Sequence, residues 1–126
     1  MEGNIGKIEK ISEKLVDIGF IIYISSLVIS KAGLNVGLAG NIGKSFAWQV
    51  AENKHDIYVL ELSSFQLDGI INYKPHIAII TNISPDHLDR YNYDYNLYID
   101  SKFRITKNQT EADYLIYDNE DEAIQN

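Results

Sequence analysis

Cysteine is absent from this 126-residue chain. That excludes a disulfide framework, a thiolate zinc site and a cysteine nucleophile, and it fits a reducing compartment. Positive charge is short as well: 11 Lys and Arg stand against 18 Asp and Glu, a net charge of −7. Nucleic-acid backbones are bound through a cationic face, so the balance speaks against a nucleic-acid partner. A phosphate ligand would have to be met by Mg²⁺, by backbone N–H groups or by a few placed lysines. Long apolar runs are missing. Residues 18–29 are twelve in number and are bounded by Lys14, Asp17 and Lys31, whereas a membrane-spanning helix needs roughly 18 or more. The start, Met1-Glu2-Gly3-Asn4, lacks the basic opening of a secretory signal. The expectation is a cytoplasmic protein without membrane contact, long enough for one modest domain with a real core.

Ile5, Ile8, Ile11, Leu15 and Val16 recur at helical spacing, with Lys and Glu largely on the other face; this predicts an amphipathic helix. Residues 18–29 are rich in β-branched side chains and read as a buried strand or a buried helix. Lys31-Ala32-Gly33 looks like a helix end with glycine closing it. Strands are expected at 36–38, 57–62, 77–80 and 114–117, and helices at 45–52, 64–71 and 94–106, with another beginning within 119–125. Residues 57–62 are almost continuously apolar, as in a strand covered on both faces. Pro75 breaks the chain. Strands alternating with helices over short connections predict an α/β fold, a parallel sheet flanked by helices.

In such sheets ligands bind at the carboxyl ends of the strands, and two runs place polar side chains there. The first is Leu60-Glu61-Leu62-Ser63-Ser64-Phe65-Gln66-Leu67. Glu61 closes an apolar strand, where a carboxylate is costly unless paired or bound to metal; it is either a hard oxygen ligand for Mg²⁺ or a strand-end residue facing solvent. The second is Thr81-Asn82-Ile83-Ser84-Pro85-Asp86-His87-Leu88-Asp89-Arg90-Tyr91, dense in groups that bind and react. Functional residues gather in such loops; the plainer reading is a Pro85-Asp86 turn with Asp89 and Arg90 as a surface pair. His55 and His76 read as surface residues. Lys102, on the helix expected over 94–106, reads on position alone as a solvated lysine. Gly40-Asn41-Ile42-Gly43-Lys44-Ser45 echoes a phosphate loop but fails its spacing, because Leu38 stands where the first glycine is required. The same pentapeptide, Gly-Asn-Ile-Gly-Lys, occurs at residues 3–7 in different surroundings and reads as coincidence.

Taken with Ser101-Lys102-Phe103-Arg104, these runs resemble the Mur ligases, and within them the central, ATPase-type domain of the D-glutamate-adding members. The Gly40-Asn41-Ile42-Gly43 turn and the Glu-Leu-Ser-Ser-Phe-Gln-Leu run are distinctive for that branch; the Asp-His-Leu-Asp element is shared more widely. The resemblance covers about residues 31–121. It implies an ATP-dependent ligase of peptidoglycan synthesis: ATP phosphorylates the carboxylate of UDP-N-acetylmuramoyl-L-alanine, and the amine of D-glutamate attacks the resulting acyl phosphate. Carried over by position, Glu61 and His87 match Mg²⁺ ligands. Lys102 matches a lysine that is carbamylated to hold a second Mg²⁺. Asn41 matches a contact to the muramoyl substrate, and Ser63, Asn82 and Asp86 match residues lining that site. On this reading His87 and Lys102 also belong to the catalytic machinery.

One departure is plain. The family carries a Gly-x-Asn-Gly-Lys-Thr/Ser-Thr phosphate loop one helix before the Lys31-Ala32-Gly33 element; here that stretch reads Ser12-Glu13-Lys14-Leu15-Val16-Asp17-Ile18-Gly19. Residues 1–30 are therefore expected to be an atypical segment in place of the phosphate-loop region, with residues 31–126 a partial central domain. The flanking domains of a full ligase have no expected counterpart, so the chain alone is expected to be inactive. The competing readings are a degenerate, non-catalytic Mur-like domain used for association, and an unrelated small α/β phosphate-binding module.

Overall fold

The computed structural model of the chain describes residues 18–52 and 54–125. The helix expected from Ile5 to Val16 and the first copy of the repeated pentapeptide lie outside the described residues. Two compact units meet in sequence after Glu61, and each is built around a pair of parallel strands. The expected α/β class and parallel sense hold; the strands are hydrogen-bonded as two pairs.

In the first unit, α1 (Ile18–Lys31) settles the reading of residues 18–29: they form a helix. Ser25 and Ser26 donate their hydroxyls to the carbonyls of Ile21 and Tyr23, both at 2.8 Å, so neither needs a partner elsewhere. The helix closes as Lys31-Ala32-Gly33 predicts. Gly33 is left-handed at φ +88, and the N–H groups of Gly33 and Leu34 return to the carbonyls of Ser30 and Ile29, the Schellman arrangement that satisfies orphan carbonyls. Burial is the part that differs from expectation, because Tyr23, Ile24, Leu27 and Val28 are exposed. Strands β1 (Val36–Gly40) and β2 (Ile57–Glu61) pair in parallel with α2 (Phe46–Glu52) as the crossover between them. Buried Gln49 of α2 donates to the Leu38 carbonyl at 2.8 Å and the Lys44 carbonyl at 3.3 Å. Its amide thus ties the helix to the strand and to the turn that joins them.

In the second unit, α3 (Ser64–Asp68) precedes β3 (Ile77–Ile80). It stops short of residue 71 because the Gly69 N–H turns back to the carbonyls of Gln66 and Leu67. A 3-10 turn (Leu88–Tyr91) leads into α4 (Tyr95–Phe103), which Asp94 caps through the Asn96 N–H. A second 3-10 turn (Arg104–Thr106) completes the segment predicted as one helix over 94–106. Then β4 (Tyr114–Tyr117) pairs parallel with β3, and α5 (Glu122–Gln125) follows. The core joins Ile80, Ile83, Tyr91 and Tyr98, packed by Ile99, Phe103 and Leu115 among others. The apolar β3 is covered on one face only: Ala78 and Ile80 are buried, whereas Ile77 and Ile79 are exposed with their register partners Tyr114 and Ile116. A continuous apolar run cannot report this, because it reads the same for either face.

Residues 69–75 have no regular structure, yet four of their carbonyls are paired with side chains. Lys107 donates to Ile70, Asn108 to Ile71 and Tyr73, and Gln109 to Pro75. Below them Asp113 accepts from Lys74 at 2.8 Å and from the Thr110 N–H at 2.8 Å, with His76 Nδ1 at 3.1 Å. The Lys74 ammonium foremost, then the Thr110 amide, hold this carboxyl well below the usual carboxylate range. A depressed carboxyl pKa adds stability above the unfolded value, about 3.9, and that stability is lost as pH falls through the folded value. Asp113→Asn is therefore expected to lower the melting temperature at pH 7, with the gap to the parent chain closing as pH drops below about 4. Thermal melts across that range check it, and a gap that persists unchanged in acid would contradict the assignment.

Candidate functional site

Register decides where Glu61 lies. Gly40 is paired with Glu61, so β1 and β2 end level. The Asn41 N–H continues the ladder by donating to the Glu61 carbonyl at 2.8 Å. Gly40 has φ +110, and a Cβ on it would lie 2.1 Å from that same carbonyl oxygen; no other residue permits this approach. Gly43, at φ +84, brings the turn back over Leu38, where a Cβ would stand 2.9 Å from the carbonyl oxygen. The segment that echoes a phosphate loop is thus a tight return of the chain onto β1, and Ala39 and Lys44 form a bridge across it.

The turn presents Asn41 to Glu61. Asn41 Nδ2 donates to Glu61 Oε1 at 3.3 Å, while Glu61 Oε2 is buried and has no hydrogen-bond partner. A buried carboxylate oxygen without a partner costs free energy and is the donor a hard cation seeks. On that observation Glu61 fits a Mg²⁺ ligand.

The second unit carries the remaining predicted residues. Ser63 caps α3: its hydroxyl accepts from the Gln66 N–H at 3.4 Å, and Gln66 Oε1 accepts from the Ser63 N–H at 2.9 Å. The Ser63-x-x-Gln66 spacing is a capping-box signal, so this predicted substrate contact also has a local structural task. Asn82 donates to Ser84 Oγ at 2.9 Å. Asp86 Oδ1 accepts the His87 N–H at 2.8 Å, and Asp86 Oδ2 lies 3.5 Å from His87 Nε2. His87 itself is left-handed, φ 50 and ψ 34, a conformation costing a non-glycine residue about 1–2 kcal/mol. Arg90 is not seen as the surface partner of Asp89; its guanidinium lies 4.3 Å from the centroid of the Phe65 ring.

Lys102 Nζ lies 5.2 Å from the Tyr98 ring centroid, one helical turn along α4. Burial first, then the negative charge of Asp86, push the Tyr98 hydroxyl pKa up. Asp86 and Lys102 therefore both act on Tyr98, which gathers part of the predicted set within one unit. Tyr98 and Phe65 escaped the sequence reading, because an aromatic residue at helical spacing signals core before it signals a site. Glu61 belongs to the first unit, His87 and Lys102 to the second. Among the described residues, no three His, Asp or Glu side chains form a ready metal cluster.

Comparison with known proteins bears on these residues. The Mur ligase middle domain family matches residues 8–126. The chain belongs to this family. Among curated relatives, UDP-N-acetylmuramoylalanine–D-glutamate ligase of Christiangramia forsetii is 63% identical over 97 residues, covering 77% of this chain and 22% of the relative. The ligase of the same name from Bacteroides fragilis is 61% identical over 97 residues, with the same coverage of 77% and 22%. That from Salinibacter ruber is 42% identical over 90 residues, 71% of this chain and 20% of the relative. The chain thus spans about a fifth of the length of the curated relatives it matches. Identity at this level disfavours a degenerate domain, and membership of the family removes the unrelated-module reading.

The Gly40 contact yields a direct test. Gly40→Ala would combine left-sided backbone strain with a clash against the Glu61 carbonyl, and it is expected to cost at least about 2 kcal/mol. Urea unfolding measures it; a loss below about 0.5 kcal/mol, the range of a neutral surface change, would mean the two strand ends are not held together.

Proposed function

We propose that this chain supplies the metal- and phosphate-handling part of a D-glutamate-adding Mur ligase, acting in the cytoplasm. The reaction is ATP-dependent amide-bond formation: the carboxylate of UDP-N-acetylmuramoyl-L-alanine is activated as an acyl phosphate, and the amine of D-glutamate displaces the phosphate. Glu61 in the first unit, and His87 and Lys102 in the second, are the candidate Mg²⁺ ligands, Lys102 as its carbamate. Asn41, Ser63, Asn82 and Asp86 are candidate contacts to the muramoyl substrate. The observation that carries the reading is the buried, unpartnered Oε2 of Glu61 at a strand end, in a chain whose relatives bear the ligase name. Bound Mg²⁺ would offset negative charge on phosphate oxygens.

This chain's own residues have separable tasks in that scheme. Asn41 orients the Glu61 carboxylate by its amide. Asp86 fixes the His87 backbone by accepting its N–H. Tyr98 offers its aromatic face to the ammonium of Lys102 before that lysine is carbamylated, the Nζ lying 5.2 Å from the ring centroid. Among the described residues no helix is long and apolar enough to cross a membrane.

Calorimetric titration of Mg²⁺ and ADP into the purified 126-residue chain tests the proposal. Mg²⁺-dependent binding is expected, weakened at least about tenfold in Glu61→Ala and His87→Ala, with far-ultraviolet circular dichroism unchanged. Variants that bind as the parent does, or a folded parent that binds nothing, would remove Glu61 and His87 from the metal site.

A further inference from the structure

Phe65 is the second residue of α3, and its ring centroid lies 5.4 Å from that of the His87 imidazole, inclined at 53°. Arg90, three residues beyond His87, places its guanidinium carbon 4.3 Å from the same ring centroid. Both distances fall within the range of attractive ring and cation–π contacts. The backbone of His87 is fixed at both ends: its N–H goes to Asp86 Oδ1, and its carbonyl accepts the Arg90 N–H at 3.1 Å. That leaves its side-chain torsions. An imidazole 62% exposed would spread over several rotamers; the Phe65 ring gives one of them a partner.

Phe65 is itself held. The Ser63–Gln66 capping box sets the first turn of α3. Arg104 donates from Nε to the Leu67 carbonyl and from its terminal nitrogen to the Asp68 carbonyl, both at 3.1 Å. Tyr91, at the end of the turn that begins after His87, donates its hydroxyl to Asp68 Oδ2 at 3.1 Å. The geometry points to Phe65 as a positioning residue: its ring selects the orientation of the His87 imidazole, and Arg90 braces that ring. The functional use of this device rests on His87 being a metal ligand, as proposed above; the ring placement does not.

The experiment is proton–carbon NMR of the histidine rings in the full chain, first without metal and then with Mn²⁺ as the probe. The parent is expected to show cross-relaxation between the Phe65 and His87 rings. In Phe65→Leu the His87 ring resonances move toward their free positions while those of His55 and His76 stay, and Phe65→Tyr restores the parent pattern. If Phe65→Leu fails to fold, the parent cross-relaxation and the Phe65→Tyr spectrum still decide. No cross-relaxation, or His87 resonances indifferent to Phe65→Leu, overturns the placement. With Mn²⁺, broadening of His87 is expected to need about tenfold more metal in Phe65→Leu than in the parent; equal sensitivity overturns the positioning role. Mn²⁺ that never broadens His87 in the parent, while the ring shifts behave as described, overturns the metal reading and with it the use of the platform.

Discussion

The site in the first unit depends on one close approach, that of the Gly40 backbone to the Glu61 carbonyl. With no side chain at residue 40, β1 and β2 end level and the chain can turn back at once. Everything local to Glu61 descends from this. The Asn41 amide takes the last ladder bond, the Asn41 side chain takes one carboxylate oxygen, and the other oxygen is left in a buried position. An orphaned buried acceptor of this kind is tolerated at a cost of about 1–3 kcal/mol. Such costs persist where surrounding structure over-determines the arrangement, and they gather at functional sites.

The second unit reaches a comparable end by different means. Its side chains are delivered by a loop and a helix, so no ladder positions them. Side chains supply what the ladder does not: Asp86 holds the His87 amide, Asp121 accepts the Ile83 N–H at 2.9 Å, and the Tyr95 hydroxyl donates to the Ile83 carbonyl at 2.6 Å. Three consecutive side chains, Lys107, Asn108 and Gln109, occupy the carbonyls of the irregular stretch before β3. A loop anchored so densely can hold a left-handed histidine, as an unanchored loop would not.

What could be read from the sequence follows the range of the interaction concerned. Strand positions, the glycine at the end of α1 and the turn at Gly40 are local, and they read correctly; β4 begins and ends where expected. The choice between strand and helix for residues 18–29 was open, because an unbroken apolar run has neither period. The exposed face of β3 depends on neighbours that periodicity does not describe. At the site, Glu61 was legible as a costly carboxylate at a strand end. Lys102 was not: by position it is one more helix lysine, and its candidacy came from family resemblance alone. Ser63 carried two signals at once, a family match and a capping box. The structure accounts for the second. Phe65 and Tyr98 matter through contacts to residues remote in sequence or one turn away, and their identity alone gives no such notice.

The donor types also constrain what could be held. Among the described residues no three His, Asp or Glu side chains form a ready-made cluster, and zinc or calcium sites are usually assembled from three or more protein donors. Magnesium behaves otherwise. It dehydrates reluctantly, keeps several waters, and is commonly held by one or two protein oxygens together with substrate phosphates. A lone buried carboxylate oxygen, already oriented by Asn41, suits that mode better than a structural cage. On the proposed reading nucleotide phosphates would share the metal with the candidate protein ligands, so metal affinity without nucleotide is expected to be weak and to strengthen when a diphosphate is present. The protein then contributes fixed direction more than tight metal binding, and the glycine at residue 40 is where that direction is set.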